Sequence, residues 1–255
     1  MVMTPNMPPV SAPAVWQRFR AAARSEGLNL HRPVDRDALT GPAAAQLAGW
    51  HPGYRQALLL GSGGPTFWER CGAAGFLDKA AEGDALPDPL DAYTEAVVER
   101  LLTGLRAAEP GAVAAYPFRH ARQVLPFQAL TAPLPDLQTM PFGIAVDRVY
   151  GPWFAWRAVV LTALPLSDEA PAPGPSVCIA CPAPCVAACP PGATAKAGLD
   201  WQRCIDFRLA EPTCRGTCLA REACPVGTEH RYSPAQVAFH HAASWRTISG
   251  ERDEG

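Results

Sequence analysis

Eight of the nine cysteines in this 255-residue chain fall between Cys178 and Cys224. They form two groups. The first is Cys178-x2-Cys181-x3-Cys185-x3-Cys189, and the second is Cys204 followed by Cys214-x3-Cys218-x5-Cys224. Each group closes on a proline, Pro190 or Pro225, which withholds one backbone donor and turns the chain. Residues 1–13 lack a charged stretch followed by an apolar run, so no secretory signal is read there and the thiols are expected to stay reduced. Eight clustered thiols in a reducing, cytoplasmic setting point to metal, with a disulfide framework the weaker reading. Zinc sites of four thiolates each remain an alternative, but zinc sites favour separated C-x2-C pairs.

The spacing is close to the bacterial ferredoxin run C-x2-C-x2-C-x3-C-P, in which the fourth cysteine ligates the other cluster. One residue, Pro184, is extra. A cubane needs four thiolates at tetrahedral corners. A tight loop can supply three, and a distant segment must supply the fourth. The expectation is two 4Fe–4S clusters. One takes Cys178, Cys181, Cys185 and Cys224; the other takes Cys189, Cys204, Cys214 and Cys218.

Composition bounds the rest. Net charge is −2 and charged residues are 18%, which excludes a wholly disordered chain and a basic nucleic-acid binder of the usual kind. No apolar run reaches the roughly 18 residues of a membrane helix, so no membrane partner is expected. Helices are expected at 14–26, 65–75, 88–108 and 233–245, and strands near 57–60, 112–118, 142–147 and 153–164. This is an α+β pattern. The expected organisation is a loose tail (1–14), a first domain (15–167), a Pro-rich linker (168–176) and a small ferredoxin-like di-cluster domain with a C-terminal helix (177–255).

Two resemblances extend this reading. The stretch 178–225, with Leu199-Asp200-x3-Cys204-Ile205 between the groups, resembles the di-cluster module of epoxyqueuosine reductases, which are cobalamin-dependent iron–sulfur enzymes. The stretch Tyr150-Gly151-Pro152-Trp153-Phe154-Ala155-Trp156-Arg157 resembles the G-W-F-A-x-R segment of cblC-type cobalamin-processing proteins. The Leu58-Leu59-Leu60 strand and the Asp88-Pro89-Leu90-Asp91 helix start match that family in order. Both families imply a nitroreductase-like α+β domain that binds a corrinoid. The cblC resemblance implies that Arg157 grips a glutathione carboxylate, a task suited to its planar fork. Alternation would set Trp153 and Arg157 on one strand face. The other reading of this stretch is a core strand of Trp153, Phe154 and Trp156, with Arg157 meeting a surface carboxylate.

Further candidates are weaker. Gly61-Ser62-Gly63-Gly64 sits where phosphate loops sit but lacks their motif, and a plain turn is expected. His120, with Arg119 and Arg122, could line a cofactor pocket. His240-His241 could reach cobalt, and Cys71 reads as a packed thiol. Segment 116–143 contains Asp136 alone, outside the D-S-G context of epoxyqueuosine reductases. With no basic surplus for tRNA either, queuosine chemistry is not expected.

The reading that joins these features is a redox protein that passes electrons through two 4Fe–4S clusters to a bound cobalamin. Its partners would be an electron-donating reductase, flavodoxin or ferredoxin, the corrinoid itself and glutathione. The alternatives are a ferredoxin-type carrier without corrinoid and a flavin-containing iron–sulfur reductase.

Overall fold

The computed structural model describes residues 11–81, 88–119, 124–134, 137–139, 141, 143–166 and 177–250. The expected linker at 168–176, His120 and Asp136 lie outside them, as does most of the expected tail. The chain groups into two compact units, each assembled from three stretches. The first gathers 1–62, 69–133 and 156–171; the second gathers 63–68, 134–155 and 172–255.

In chain order the helices and strands begin with α1 (Ala12–Ser25), β1 (Leu30–Asp35), α2 (Gly41–Trp50), β2 (Gln56–Gly63), α3 (Thr66–Ala73), α4 (Phe76–Ala81) and α5 (Pro89–Arg106). Next come β3 (Val113–Ala115), α6 (Phe127–Thr131), β4 (Gln138–Thr139), β5 (Ala145–Val146) and β6 (Phe154–Thr162). The remainder is α7 (Pro184–Ala187), β7 (Thr194–Ala195), β8 (Gly198–Leu199), α8 (Trp201–Ala210), α9 (Leu219–Glu222) and α10 (Pro234–Ser249). Mixed helix and sheet agrees with the α+β expectation.

A four-stranded sheet in the order β1-β2-β6-β3 organises the first unit. β1 and β2 run antiparallel with Leu30 opposite Gly61 and Val34 opposite Ala57; β3 and β6 are antiparallel with Val113 opposite Leu161. Leu58, Leu59 and Leu60 are all essentially inaccessible, so β2 is covered on both faces. A continuous apolar run, rather than an alternating one, is what such a strand requires.

Helix α5 follows from its first residues. Asp88 is the N-cap, and its Oδ1 accepts from the amides of Leu90 (2.9 Å) and Asp91 (3.4 Å), with Pro89 in the first turn. The buried stripe runs Leu90, Tyr93, Val97 and Val98, then Leu102 and Leu105. Leu101 is only half-buried, because a 3.6-residue period drifts off the four-residue spacing that runs from Val97 through Leu101 to Leu105. Past the helix, Glu109 accepts from the Ala163 amide at 2.7 Å and pairs with His51 at 2.7 Å, which anchors the end of β6.

Two expected strands are shorter in the structure. β3 stops at Ala115, since Pro117 cannot donate to a ladder. Only Ala145–Val146 of the expected 142–147 strand pairs, and Phe142 lies outside the described residues. A tight turn at 150–152 leads into β6, the Trp153 amide donating to the Tyr150 carbonyl at 3.0 Å, and the loop before it is closed by paired backbone bonds between Asp147 and Gly151, both 2.9 Å. Asp147 Oδ1 shapes it by accepting from Val149 and Tyr150.

Asp88→Ala removes the only side-chain cap of α5. Urea unfolding followed by circular dichroism should show a loss of about 1 kcal/mol, the usual cost of an N-cap.

Candidate functional site

The eight clustered cysteines all lie in the second unit. No disulfide joins any of the nine. Short elements place them. Cys185 sits in α7, Cys204 in the first turns of α8, Cys214 at the end of a 3₁₀ turn, and Cys218 just before α9. α8 starts at Asp200, whose side chain accepts from the Arg203 amide at 3.0 Å.

The thiols sort into two sets. Burial raises Cys224 above the ordinary thiol value, and the neighbours that add to this are Cys185, Cys178 and Cys181. Cys185 is raised by burial and then by Cys181 and Cys178. Elsewhere, burial raises Cys204, and Cys218, Cys189 and Cys214 press in the same direction. Cys214 feels burial, then Cys218 and Cys189. Cys224 therefore leaves its own sequence group, and so does Cys189.

Backbone N–H groups oppose the burial cost. Those of Val186, Val226 and Leu219 favour the thiolates of Cys185, Cys224 and Cys214, and those of Arg221 and Ala220 favour Cys218. The Ala183 amide donates to Cys181 Sγ at 3.4 Å. Ala183 adopts φ 55°, the only non-glycine residue with positive φ among the described residues. Around the first set Val146, Ala220 and Cys224 form an apolar cluster with Cys185. Among the described residues, no three Cys, His, Asp or Glu side chains converge as one metal ion would require.

Cys189, Cys204, Cys214 and Cys218 together line a cavity of about 230 Å³. Arg208, Arg221 and His241 share its wall. Sequence reasoning passed over both arginines. The available signal was spacing: Arg208 follows Cys204 by four residues on a helix, and Arg221 follows Cys218 by three. His241 was weighed only as a cobalt ligand. Burial, and then Arg208 and Arg221, lower it to about 4, so it is neutral near pH 7.

The Tyr150–Trp153 segment belongs to this unit too. Trp153 is 1% exposed, with the Arg221 guanidinium 4.6 Å from its ring centre and Tyr232 edge-on at 5.5 Å. Arg221 Nη2 donates to the Pro152 carbonyl at 2.7 Å. Gly151 and Gly227 both have positive φ, 58° and 66°. A Cβ on Gly151 would overlap the Val226 carbonyl, and one on Gly227 would overlap the Tyr150 backbone. Two glycines thus let one backbone lie directly on the other, which seats the segment following Cys224.

In the first unit, Arg157 is half-buried on β6, and its Nε donates to Ser62 Oγ at 3.2 Å. Burial and then Asp88 raise Asp91 to about 6, with Arg157 opposing. Cys71 is fully buried, its thiol pushed up to about 12 chiefly by burial, and it donates to the Pro89 carbonyl at 3.6 Å. It is the packed thiol that was expected. Phe154 opens β6 and is half-buried. Gly61, Ser62 and Gly63 are strand residues rather than a loop, which removes the phosphate-loop alternative, since paired strand amides are not free to cradle an anion.

No known family profile matches the chain. No curated protein matches it either. Solved structures do. An epoxyqueuosine reductase with an epoxyqueuosine-modified tyrosine-tRNA stem loop is 12% identical, with a TM-score of 0.56 over 89% of this chain and 69% of that one. The epoxyqueuosine reductase of Bacillus subtilis is 12% identical at a TM-score of 0.55, covering 88% and 68%. The B12-trafficking protein CblC of C. elegans is 13% identical at 0.55, covering 95% and 98%. At these identities the likeness is one of fold: this chain has the fold that epoxyqueuosine reductase and CblC share. One of those structures holds a tRNA stem loop, so charge balance alone does not exclude an RNA substrate for this fold. Among the described residues no helix is long and apolar enough to cross a membrane.

Gly227→Ala should lower stability by about 2 kcal/mol, the scale of an overpacked core. Differential scanning calorimetry compared with Gly250→Ala, which has positive φ but open space, separates overlap from backbone strain.

Proposed function

We propose that this protein is an iron–sulfur redox protein that carries electrons through two 4Fe–4S clusters to a corrinoid, on the fold of the corrinoid-handling proteins it resembles. The observation that carries the reading is the sorting of the thiols. Cys178, Cys181, Cys185 and Cys224 form one ligand set, and Cys189, Cys204, Cys214 and Cys218 the other. A four-iron cluster gives each thiolate its own iron. It therefore does not demand that sulfurs converge on one centre, as a zinc ion does at about 2.3 Å.

The donor chemistry fits such a group. Thiolates are the ligands iron prefers, and buried ones need compensation. The amides of Val186, Leu219, Ala220, Arg221 and Val226 provide it, and hydrogen bonds to sulfur are a recognised lever on cluster potential. Val146, Ala220 and their half-buried neighbours exclude water from the first set. When bound, the clusters supply one-electron transfer and the corrinoid supplies the cobalt chemistry. The protein's part is to hold, desolvate and tune.

Support for the corrinoid is the fold likeness together with the cblC-like stretch ending in Arg157. Arg157 is held by Ser62 beside Asp91, so its guanidinium is pre-oriented on β6. That suits the carboxylate-binding role the resemblance implies. Trp153 and Phe154 complete that stretch.

Anaerobically reconstituted protein should contain about eight irons and eight sulfides per chain, four for each cluster. Cys224→Ser and Cys189→Ser should each halve the iron and remove a different one of two paramagnetic signals. Zinc in place of iron, or one signal lost to both substitutions, would overturn the ligand assignment. For the corrinoid, a base-off shift in the visible spectrum of added cobalamin is expected at micromolar protein. An unchanged spectrum leaves an electron carrier, and yellow colour released by acid would identify a flavin.

A further inference from the structure

The two ligand sets differ in the charges that face them. The chief neighbours acting on Cys185 and Cys224 are the other thiols of their set and backbone amides. The second set has cations. Arg208 is only 8% exposed, shares a helix face with Cys204, and lines the cavity that Cys189, Cys204, Cys214 and Cys218 enclose. Its Nη1 donates to Ser244 Oγ at 3.0 Å, whereas its Nε and Nη2 have no hydrogen-bond partner among the described residues. Among those residues, no Asp or Glu lines that cavity. A buried guanidinium with two unanswered N–H groups is costly unless an anion answers it. Arg221 also borders the cavity and favours the Cys218 thiolate, but its guanidinium lies over the Trp153 and Tyr232 rings and its Nη2 is bonded to the Pro152 carbonyl, which leaves only its Nε without a partner among the described residues.

We propose that Arg208 is the counter-charge and hydrogen-bond donor of the cluster held by Cys189, Cys204, Cys214 and Cys218, and that it keeps this cluster at a higher reduction potential than the other. The inference rests on the two-cluster reading above. Its physics is that of charge. Reduction by one electron makes a thiolate-bound cluster more negative by one unit and needs no proton. A fixed cation in a low-dielectric pocket stabilises the more negative state more strongly, so the potential rises. Burial of Arg208 protects this effect from screening by salt. Of the two sets, the second is therefore the one more readily loaded with an electron.

The test uses full-length protein, reconstituted with iron and sulfide without oxygen and titrated with dithionite while paramagnetic signals are followed. Arg208→Gln should retain wild-type iron. At a fixed poise the reduced-to-oxidised ratio of one centre should fall about tenfold, equivalent to about 59 mV for one electron. The other centre should stay put, and Arg208→Lys should restore most of the difference. Ser244→Asp is the second variant, at an exposed position, and pairs the guanidinium with a carboxylate. It should lower the same centre even if Arg208→Gln does not fold. Full iron with both potentials unmoved in Arg208→Gln, or in Ser244→Asp where Arg208→Gln does not fold, overturns the role of Arg208 alone. Equal shifts of both centres do the same. Wild-type protein that takes up no iron overturns the cluster reading itself.

Discussion

Thiols from two stretches of chain meet in crossed sets. Cys224 joins Cys178, Cys181 and Cys185, while Cys189 joins Cys204, Cys214 and Cys218. Neither stretch can complete its set alone, so the two must interlock. Apart from α8, which carries Cys204, the elements beside the thiols are short: α7 and α9 are four residues each, and β7 and β8 two each. Much of the enforcement comes from loop contacts. The Tyr150–Gly151 backbone lies on the Val226–Gly227 backbone, and Tyr150 packs against His230 with ring centres 4.6 Å apart. Arg221 ties α9 to Pro152, Trp153 and Tyr232 at once.

Burying sulfur has an electrostatic consequence. Cys185, Cys204, Cys214, Cys218 and Cys224 are each pushed toward the neutral form by desolvation, and each set is pushed further by its own members. Backbone amides and Arg208 act the other way.

The first unit is built on different principles. Its sheet is held by continuous apolar strands and by α5, and individual polar contacts fix side chains on it. Arg157 with Ser62, and Glu109 with His51 and the Ala163 amide, are such arrangements. The fold it helps to form is shared with proteins whose described roles differ, one handling B12 and others a modified tRNA base. Fold kinship therefore sets the range of chemistries, and the residues of the site select within it.

Local signals were legible in the sequence because they depend on neighbours along the chain. Asp88-Pro89 marked the start of α5, Ser233 the start of α10, and the run Leu58-Leu59-Leu60 the buried strand. The cysteine spacing also carried the prospect of crossed sets, since a tight loop has room for three corners and not four. What the sequence did not carry was contact between distant segments. It read Gly61–Gly63 as a turn, though they belong to β2. Gly151 and Gly227 lie 76 positions apart by their numbers, and only folding brings them together. The same holds for Arg208 and Ser244, and for the cavity that makes a guanidinium matter to four sulfurs. Spacing along a chain determines which ligands a loop can offer; the charge and dryness around them are properties of space, and those the tertiary structure alone decided.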